Sequence, residues 1–316
     1  MNTPGAHHTP ARLATLLHAR PTAPDDHARL LADSLPFVRA MHGQTVVIAL
    51  LGQVAYNPAH RQALAQDIAL LALMGLRPVL VHGGAPQFQL TPAARPSDLP
   101  QRAAVQIARA AMHEINVELV RLLSREGAHA VGVNGQDLRC VGSDAQHIDQ
   151  LDTDYLALLK AHETVPVVMP LALDADYNHI LLSPEQLGSL LAAQLSAHSF
   201  LMVGEEGALQ HADIGDGLLG RGDLQSWLSS HEGAPIASEV EAALSALNHG
   251  VPTVHLIDGV KPGALVAELL TNEGTGTIIC RRTSPQLLAD TARYFHDCDS
   301  AVQPGFVAER KRVVRF

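Results

Sequence analysis

Two short runs, Val46-Val47-Ile48 within "TVVIAL" and Val79-Leu80-Val81 within "RPVLVHGG", are apolar at consecutive positions rather than at alternate ones. A strand covered on one face alternates, so an unbroken apolar run implies burial on both faces, the condition of a parallel sheet between helical layers. Between the two runs lies "NPAHRQALAQDIALLALMG", with Asn57 placed to cap a helix, Pro58 at its first position and Gly75 at its end. The rhythm continues along the chain. Residues 99–126 predict a long amphipathic helix through Val105, Ala108, Met112, Ile115, Leu119 and Leu122. "VPVVMPLAL", "FLMVG", "PTVHLID" and "GTIICRR" predict strands; "SPEQLGSLLAAQLSAH", "SEVEAALSALNHG" and "KPGALVAELL" predict helices between them. The expectation is an α/β chain, a three-layer αβα sandwich with a mostly parallel central sheet, whose ligands bind at the C-terminal ends of the strands.

Charge and residue usage narrow the partners. The formal net charge is −10, with 22 Lys and Arg against 32 Asp and Glu over 316 residues, which repels rather than attracts a nucleic-acid backbone. Cys140, Cys280 and Cys298 form no CxxC pair, as expected of a reducing, cytoplasmic setting. "DIALLALMGLRPVLVHGG" is interrupted by Arg77, Pro78 and two glycines, and the first twenty residues lack the pattern of a signal peptide, so no membrane association is expected. The 18 histidines include no HExxH motif and no Cys-rich neighbourhood, so they read as scattered surface and core residues and no metal site is expected.

The ordered segments "LPFVRAMHGQTVVIALLG", "DIALLALMGLRPVLVHGGAPQ", "INVELVRLLSREGAHAVGVNGQD", "VPVVMPLAL", "GVPTVHLIDG" and "ALVAELLTNEGTGTII" resemble the amino acid kinase superfamily from about Leu35 to Ile279. The resemblance is specifically to N-acetylglutamate kinase and to the kinase-like domain of N-acetylglutamate synthase. It implies that the first strand should end in a lysine and a paired-glycine loop around the transferred phosphate. Ala49 stands at the lysine position and Leu51 at the first glycine, with Gly52 retained. The second lysine falls at Ser238 or Glu239, the organising aspartate at Glu185, and the nucleotide-side "TD" at Val203-Gly204. Phosphoryl transfer is mainly positioning and charge neutralisation, so none of these positions supplies a catalytic residue.

On the acyl-amino-acid side the resemblance assigns substrate binding to Gly83, Gly84 and Arg95. The glycines let backbone N–H groups approach an anion, and "RPSD" makes Arg95 a carboxylate clamp. Only seven residues separate Gln87 from Arg95, a shorter connection than the family's, and the substrate asparagine is replaced by Leu181. In arginine-inhibited members the effector site corresponds to His255, Glu268 and Gly274, all present. Simpler roles stand beside these. Ser183-Pro184-Glu185-Gln186 reads as a helix cap, the glycines as a turn, Arg95 as a solvated cation, Glu268 as an exposed helix acid and His255 as a core histidine.

The expected organisation is an N-terminal extension with an oligomerisation-type helix (1–42), a kinase-like domain (43–282, lobes 43–170 and 171–282), and a C-terminal helix with a basic tail (283–316). The expected function is that of a ligand-binding regulatory or partner subunit for arginine or an N-acyl amino acid. It would form a homo-oligomer, a dimer or a hexamer of dimers, and could partner an active kinase paralogue or a separate acetyltransferase. Two alternatives remain open: a divergent active kinase using ATP, Mg²⁺ and cations such as Arg77 or Arg95, and a stand-alone kinase-like half of a synthase.

Overall fold

The computed structural model describes residues 24–83, 101–142, 148–205, 218–231, 233–234, 236–271 and 274–281. Its centre is an eight-stranded sheet in the order β10-β12-β11-β9-β1-β2-β6-β3. The central strands are β1 (Thr45–Leu50), β2 (Arg77–His82), β9 (Ser199–Gly204) and β11 (Thr253–Asp258), and β6 (Val165–Met169) and β3 (Ala130–Asn134) complete the parallel part. β12 (Thr277–Cys280) runs antiparallel to β11, and β10 (Leu218–Gly220) runs parallel to β12.

The consecutive apolar runs sort onto two faces, as double burial requires. Val47, Ala49, Val79 and Val81 join one cluster, beneath α5 (Pro184–Gln194), α7 (Ala237–Asn248), α6 (Arg221–Ser230) and α4 (Asp154–Ala161). Val46, Ile48, Leu50 and Leu80 join the other, beneath α2 (Pro58–Leu73), α3 (Gln101–Arg125) and α8 (Ala264–Leu270). The three expected layers are therefore present. The Asn57 carboxamide caps α2 by accepting from Ala59 N at 2.9 Å, and Gly75 follows its end at φ +92°. The first described helix, α1 (Pro24–Met41), precedes β1. On the second of these faces, the buried carboxylate of Asp67 on α2 accepts from Leu265 N at 3.1 Å and fastens the start of α8.

Two expectations need correction. "VPVVMPLAL" is not one strand: Pro170 has no N–H to continue a ladder, and the chain divides there into β6 and β7 (Leu171–Leu173). β7 belongs to a separate small sheet, β5-β4-β7-β8, with β4 (Val141–Gly142), β5 (Ile148–Gln150) and β8 (His179–Leu181), which the sequence reading did not foresee. Its strands of two and three residues are too short to show a periodicity. The predicted C-terminal helix and Cys298 lie outside the described residues.

Candidate functional site

β1 lies between β2 and β9, and the chain crosses to β2 through α2 on one face and reaches β9 through α5 on the other. The crevice beyond the strands' C-terminal ends at such a reversal is the usual ligand position. Here it gathers Leu50-Leu51, His82-Gly83 and Val203-Gly204. Leu51 N donates to Val203 O at 2.9 Å, and Gly83 N donates to Leu50 O at 2.9 Å.

At the head of this crevice Ala49 is fully buried, opposite Val81 and Met202 in the sheet and in one apolar cluster with Leu187 and Phe200. Gly188 of α5 sits directly over it: a methyl there would stand 3.3 Å from the Ala49 Cβ and 2.7 Å from Phe200. Leu51 has an ordinary extended backbone (φ −104°, ψ 155°) that requires no glycine, and its side chain packs against the same cluster. Gly52 alone keeps the left-handed conformation, at φ +52°. The turn is closed by hydrocarbon where the family resemblance expected a lysine and the first loop glycine.

Above it, the first turns of α5 and α7 carry Glu185 and Glu239. Burial raises the Glu239 carboxyl above its ordinary value, and the Glu185 carboxylate pushes it further; the Ser238 hydroxyl, donating to Oε2 at 3.0 Å, opposes both. Two mutually repelling acids therefore stand at the positions the resemblance gave to the organising aspartate and the second lysine. Ser183 caps α5 by accepting from Gln186 N at 3.2 Å, and the Gln186 Oε1 is buried with no hydrogen-bond partner. The cap expected of Ser183 is thus made in one direction.

On the acyl-amino-acid side, Gly83 is closely covered: a Cβ there would lie 3.3 Å from Leu50 O and 3.5 Å from Pro184. His82 is fully buried beneath it. Its Nδ1 donates to Gly83 O at 3.0 Å, and its Nε2 accepts from Asn116 Nδ2 at 3.0 Å; the same amide reaches Val167 O at 2.8 Å. Burial pushes the His82 imidazole from 6.5 down to about 4, with the Gly83 hydrogen bond opposing and the Arg61 charge adding to the fall. Between those values the unfolded chain binds a proton that the folded chain refuses. Stability should therefore fall as pH drops from 6.5 to 4, by up to about 3 kcal/mol from this group over the full window. Urea unfolding at pH 7 and at pH 4.5 checks this, and His82→Gln should show a smaller acid loss than the parent chain. Leu181, at the substrate-asparagine position, is buried among Met112, Met169 and Leu171 and offers no hydrogen bond. Gly84 and Arg95 lie outside the described residues.

His255, Glu268 and Gly274 meet as the sequence suggested. His255 Nδ1 donates to Glu268 Oε1 at 2.7 Å, and Thr275 N and Gly276 N donate to Glu268 Oε2 at 2.6 and 2.9 Å. Gly274 has φ +61°, and a Cβ there would stand 3.0 Å from Oε2. Burial alone would raise the Glu268 carboxyl; the imidazole and the two amides outweigh it and hold the group below its ordinary value. The Glu268 side chain is 0% exposed, so it is not an exposed helix acid. On its other side, His255 Nε2 meets the Thr253 hydroxyl at 3.2 Å, which in turn meets Ser199 Oγ at 2.9 Å.

Arg77 does not serve the crevice. It pairs with Thr45 at the start of β2, whereas His82 pairs with Leu50 at the crevice end, so the length of the strand separates them. Arg61, which the sequence reading passed over, lies in α2 close behind the glycine turn and donates from Nη1 to Ala55 O and Tyr56 O, each at 3.2 Å. An arginine in a helix's first turn after a loop was the available signal. Among the described residues no group of three metal-ligating side chains occurs, and no helix is long and apolar enough to cross a membrane. Cys140 and Cys280 are buried free thiols, each pushed by burial to about 11.

Comparison with known proteins agrees with this architecture. The amino acid kinase family profile matches residues 44–213. The acetylglutamate kinase of Mycobacterium leprae is 33% identical over 279 residues, covering 79% of this chain and 93% of its own. That of Nitrosomonas eutropha is 28% identical over 288 residues, covering 81% and 97%. Among solved structures, N-acetylglutamate synthase from Neisseria gonorrhoeae, complexed with coenzyme A and N-acetyl-glutamate, has a TM-score of 0.70 at 19% identity, covering 86% of this chain and 70% of that one. The last likeness is one of fold. With the profile spanning both sides of the crevice and whole-length relatives of one kind, the chain belongs to the amino acid kinase family and is acetylglutamate-kinase-like, of the arginine-biosynthesis type.

Proposed function

We propose that this chain is a regulatory or partner subunit that keeps the architecture of an acetylglutamate kinase and binds a small ligand, arginine or an N-acyl amino acid, without transferring phosphate. The observation that carries this is the chemistry at the end of β1. Ala49 and Leu51 fill with hydrocarbon the place where a cation and a glycine would meet phosphate, and the first turns of α5 and α7 carry the acids Glu185 and Glu239 rather than a cation. Removal of one transition-state donor costs about 10²–10³ in rate, and here both lysine positions are without charge compensation. The retained His255–Glu268–Gly274 constellation supports an effector, whereas the Gly83 N–H is committed to Leu50 O. The exposed Leu31 and Leu35 of α1 support self-association through that helix. Calorimetry on folded protein with arginine and with N-acetyl-L-glutamate tests the ligand: saturable heat from either supports it, and silence from both overturns it.

The acid pair makes its own prediction. Because the Glu239 pKa is raised in the folded chain, folded protein holds that proton more tightly, and the site costs stability as pH rises through the raised value. Glu239→Gln should therefore raise the melting temperature at pH 7, with the gain vanishing near pH 4. A melting temperature unchanged at both pH values would contradict the repulsion.

A divergent kinase is the competing reading, and Arg61 favours it as a described cation near the glycine turn. Only in that reading do ATP and Mg²⁺ belong to the protein.

A further inference from the structure

A polar cluster apart from the positions so far described joins α3, β8 and the turn after β3. Arg109 Nη1 lies 3.0 Å from His179 Nε2, and the Gln136 side-chain amide lies 3.0 Å from His179 Nδ1. Arginine only donates, so Nε2 carries the lone pair and Nδ1 the proton; Gln136 then turns its amide oxygen, not its nitrogen, toward the ring. His179 is thus a neutral strut, holding a guanidinium in place without cancelling its charge. Among the described residues no carboxylate pairs with it either: the ion pairs there involve Arg121, Arg125, Arg139, His255 and Lys261.

The cluster stands on the ligand edge of the molecule. Leu181, two residues along β8 from His179 and hence about 7 Å away, packs with Ala108 and Met112 on either side of Arg109 in α3. Three residues after Leu181, Pro184 lies over Gly83. A half-buried guanidinium, bonded among the described residues only to His179, therefore sits beside Leu181, the residue that the resemblance sets at the position of the substrate asparagine.

We propose that Arg109 is an anion-binding residue beside Leu181, taking a carboxylate of a small carboxylic-acid ligand, with His179 and Gln136 as its positioning residues. This rests on the reading that an N-acyl amino acid binds at this edge, and it names what holds one end of it. The guanidinium fork suits a carboxylate.

The test uses the full chain, with ¹H–¹⁵N imidazole spectra in which His179 is assigned by His179→Gln. Succinate and then N-acetyl-L-glutamate are titrated against chloride of equal ionic strength. The His179 ring signals should shift saturably with succinate in the parent chain and stay still in Arg109→Gln. Affinity for N-acetyl-L-glutamate should fall about tenfold in Arg109→Gln, the scale of one charge-assisted hydrogen bond, and recover in part in Arg109→Lys. Unmoved His179 signals in the folded parent chain with succinate, or equal affinity of parent and Arg109→Gln for N-acetyl-L-glutamate, would overturn the proposal. Saturable succinate binding at Arg109 without any N-acetyl-L-glutamate binding would keep the anion site and remove the acyl-amino-acid reading.

Discussion

Glu268→Ala should lower the unfolding free energy by about 3–5 kcal/mol at pH 7, the scale of breaking one partner out of a buried charged network. The carboxylate accepts from three donors, His255 Nδ1, Thr275 N and Gly276 N, and truncation leaves all three facing an apolar void between α8 and β11. Glu268→Gln keeps acceptor capacity on one atom and should cost less. Because the Glu268 pKa is depressed, its contribution exists above the ordinary carboxylate range and is lost as pH falls through the folded value. The deficit of the alanine variant should therefore shrink in acid. Chemical denaturation of both variants at pH 7 and pH 4 measures this. The same residue is the effector candidate, so a folded Glu268→Gln chain separates the two roles: structure predicts a modest stability change, ligand binding predicts loss of arginine heat.

Gly135→Ala should be at least as severe, costing about 4 kcal/mol or preventing folding, at the extreme of single-residue effects. A Cβ at this position would lie 1.6 Å from the Leu171 carbonyl oxygen and 2.7 Å from its carbon, backbone atoms with no room to retreat. Gly135 follows β3, and Leu171 opens β7, so this contact is where the small sheet docks on the large one. Loss of the contact would carry away β8 with His179 and Leu181. Expression yield and thermal melting check the effect; a chain with near-parental melting temperature would show that the two sheets are not docked this closely.

The legible part of the fold came from residues whose neighbours do not matter. Val46-Val47-Ile48 and Val79-Leu80-Val81 announce double burial wherever they occur, and Asn57-Pro58 announces a helix start. The antiparallel β12 was not legible, because "TIIC" reads alike in either direction and only its pairing with β11 decides. The small sheet was hidden by strands of two or three residues, and the break at Pro170 by the apolar residues around it. Within the site, Ala49 and Leu51 could be located because a family pattern gave them positions. His82–Asn116 and Arg109–His179 could not, since 34 and 70 residues separate the partners and each alone is an ordinary polar residue.

The central claim is that the end of β1 no longer supports phosphoryl transfer, with Ala49 packed against Gly188 and Phe200 and Glu239 opposing Glu185. The measurement that addresses it most directly is a coupled assay of ADP release by the folded chain with ATP, Mg²⁺ and N-acetyl-L-glutamate. The account predicts no release above the enzyme-free blank; release that saturates with N-acetyl-L-glutamate and falls in Arg61→Gln would contradict it.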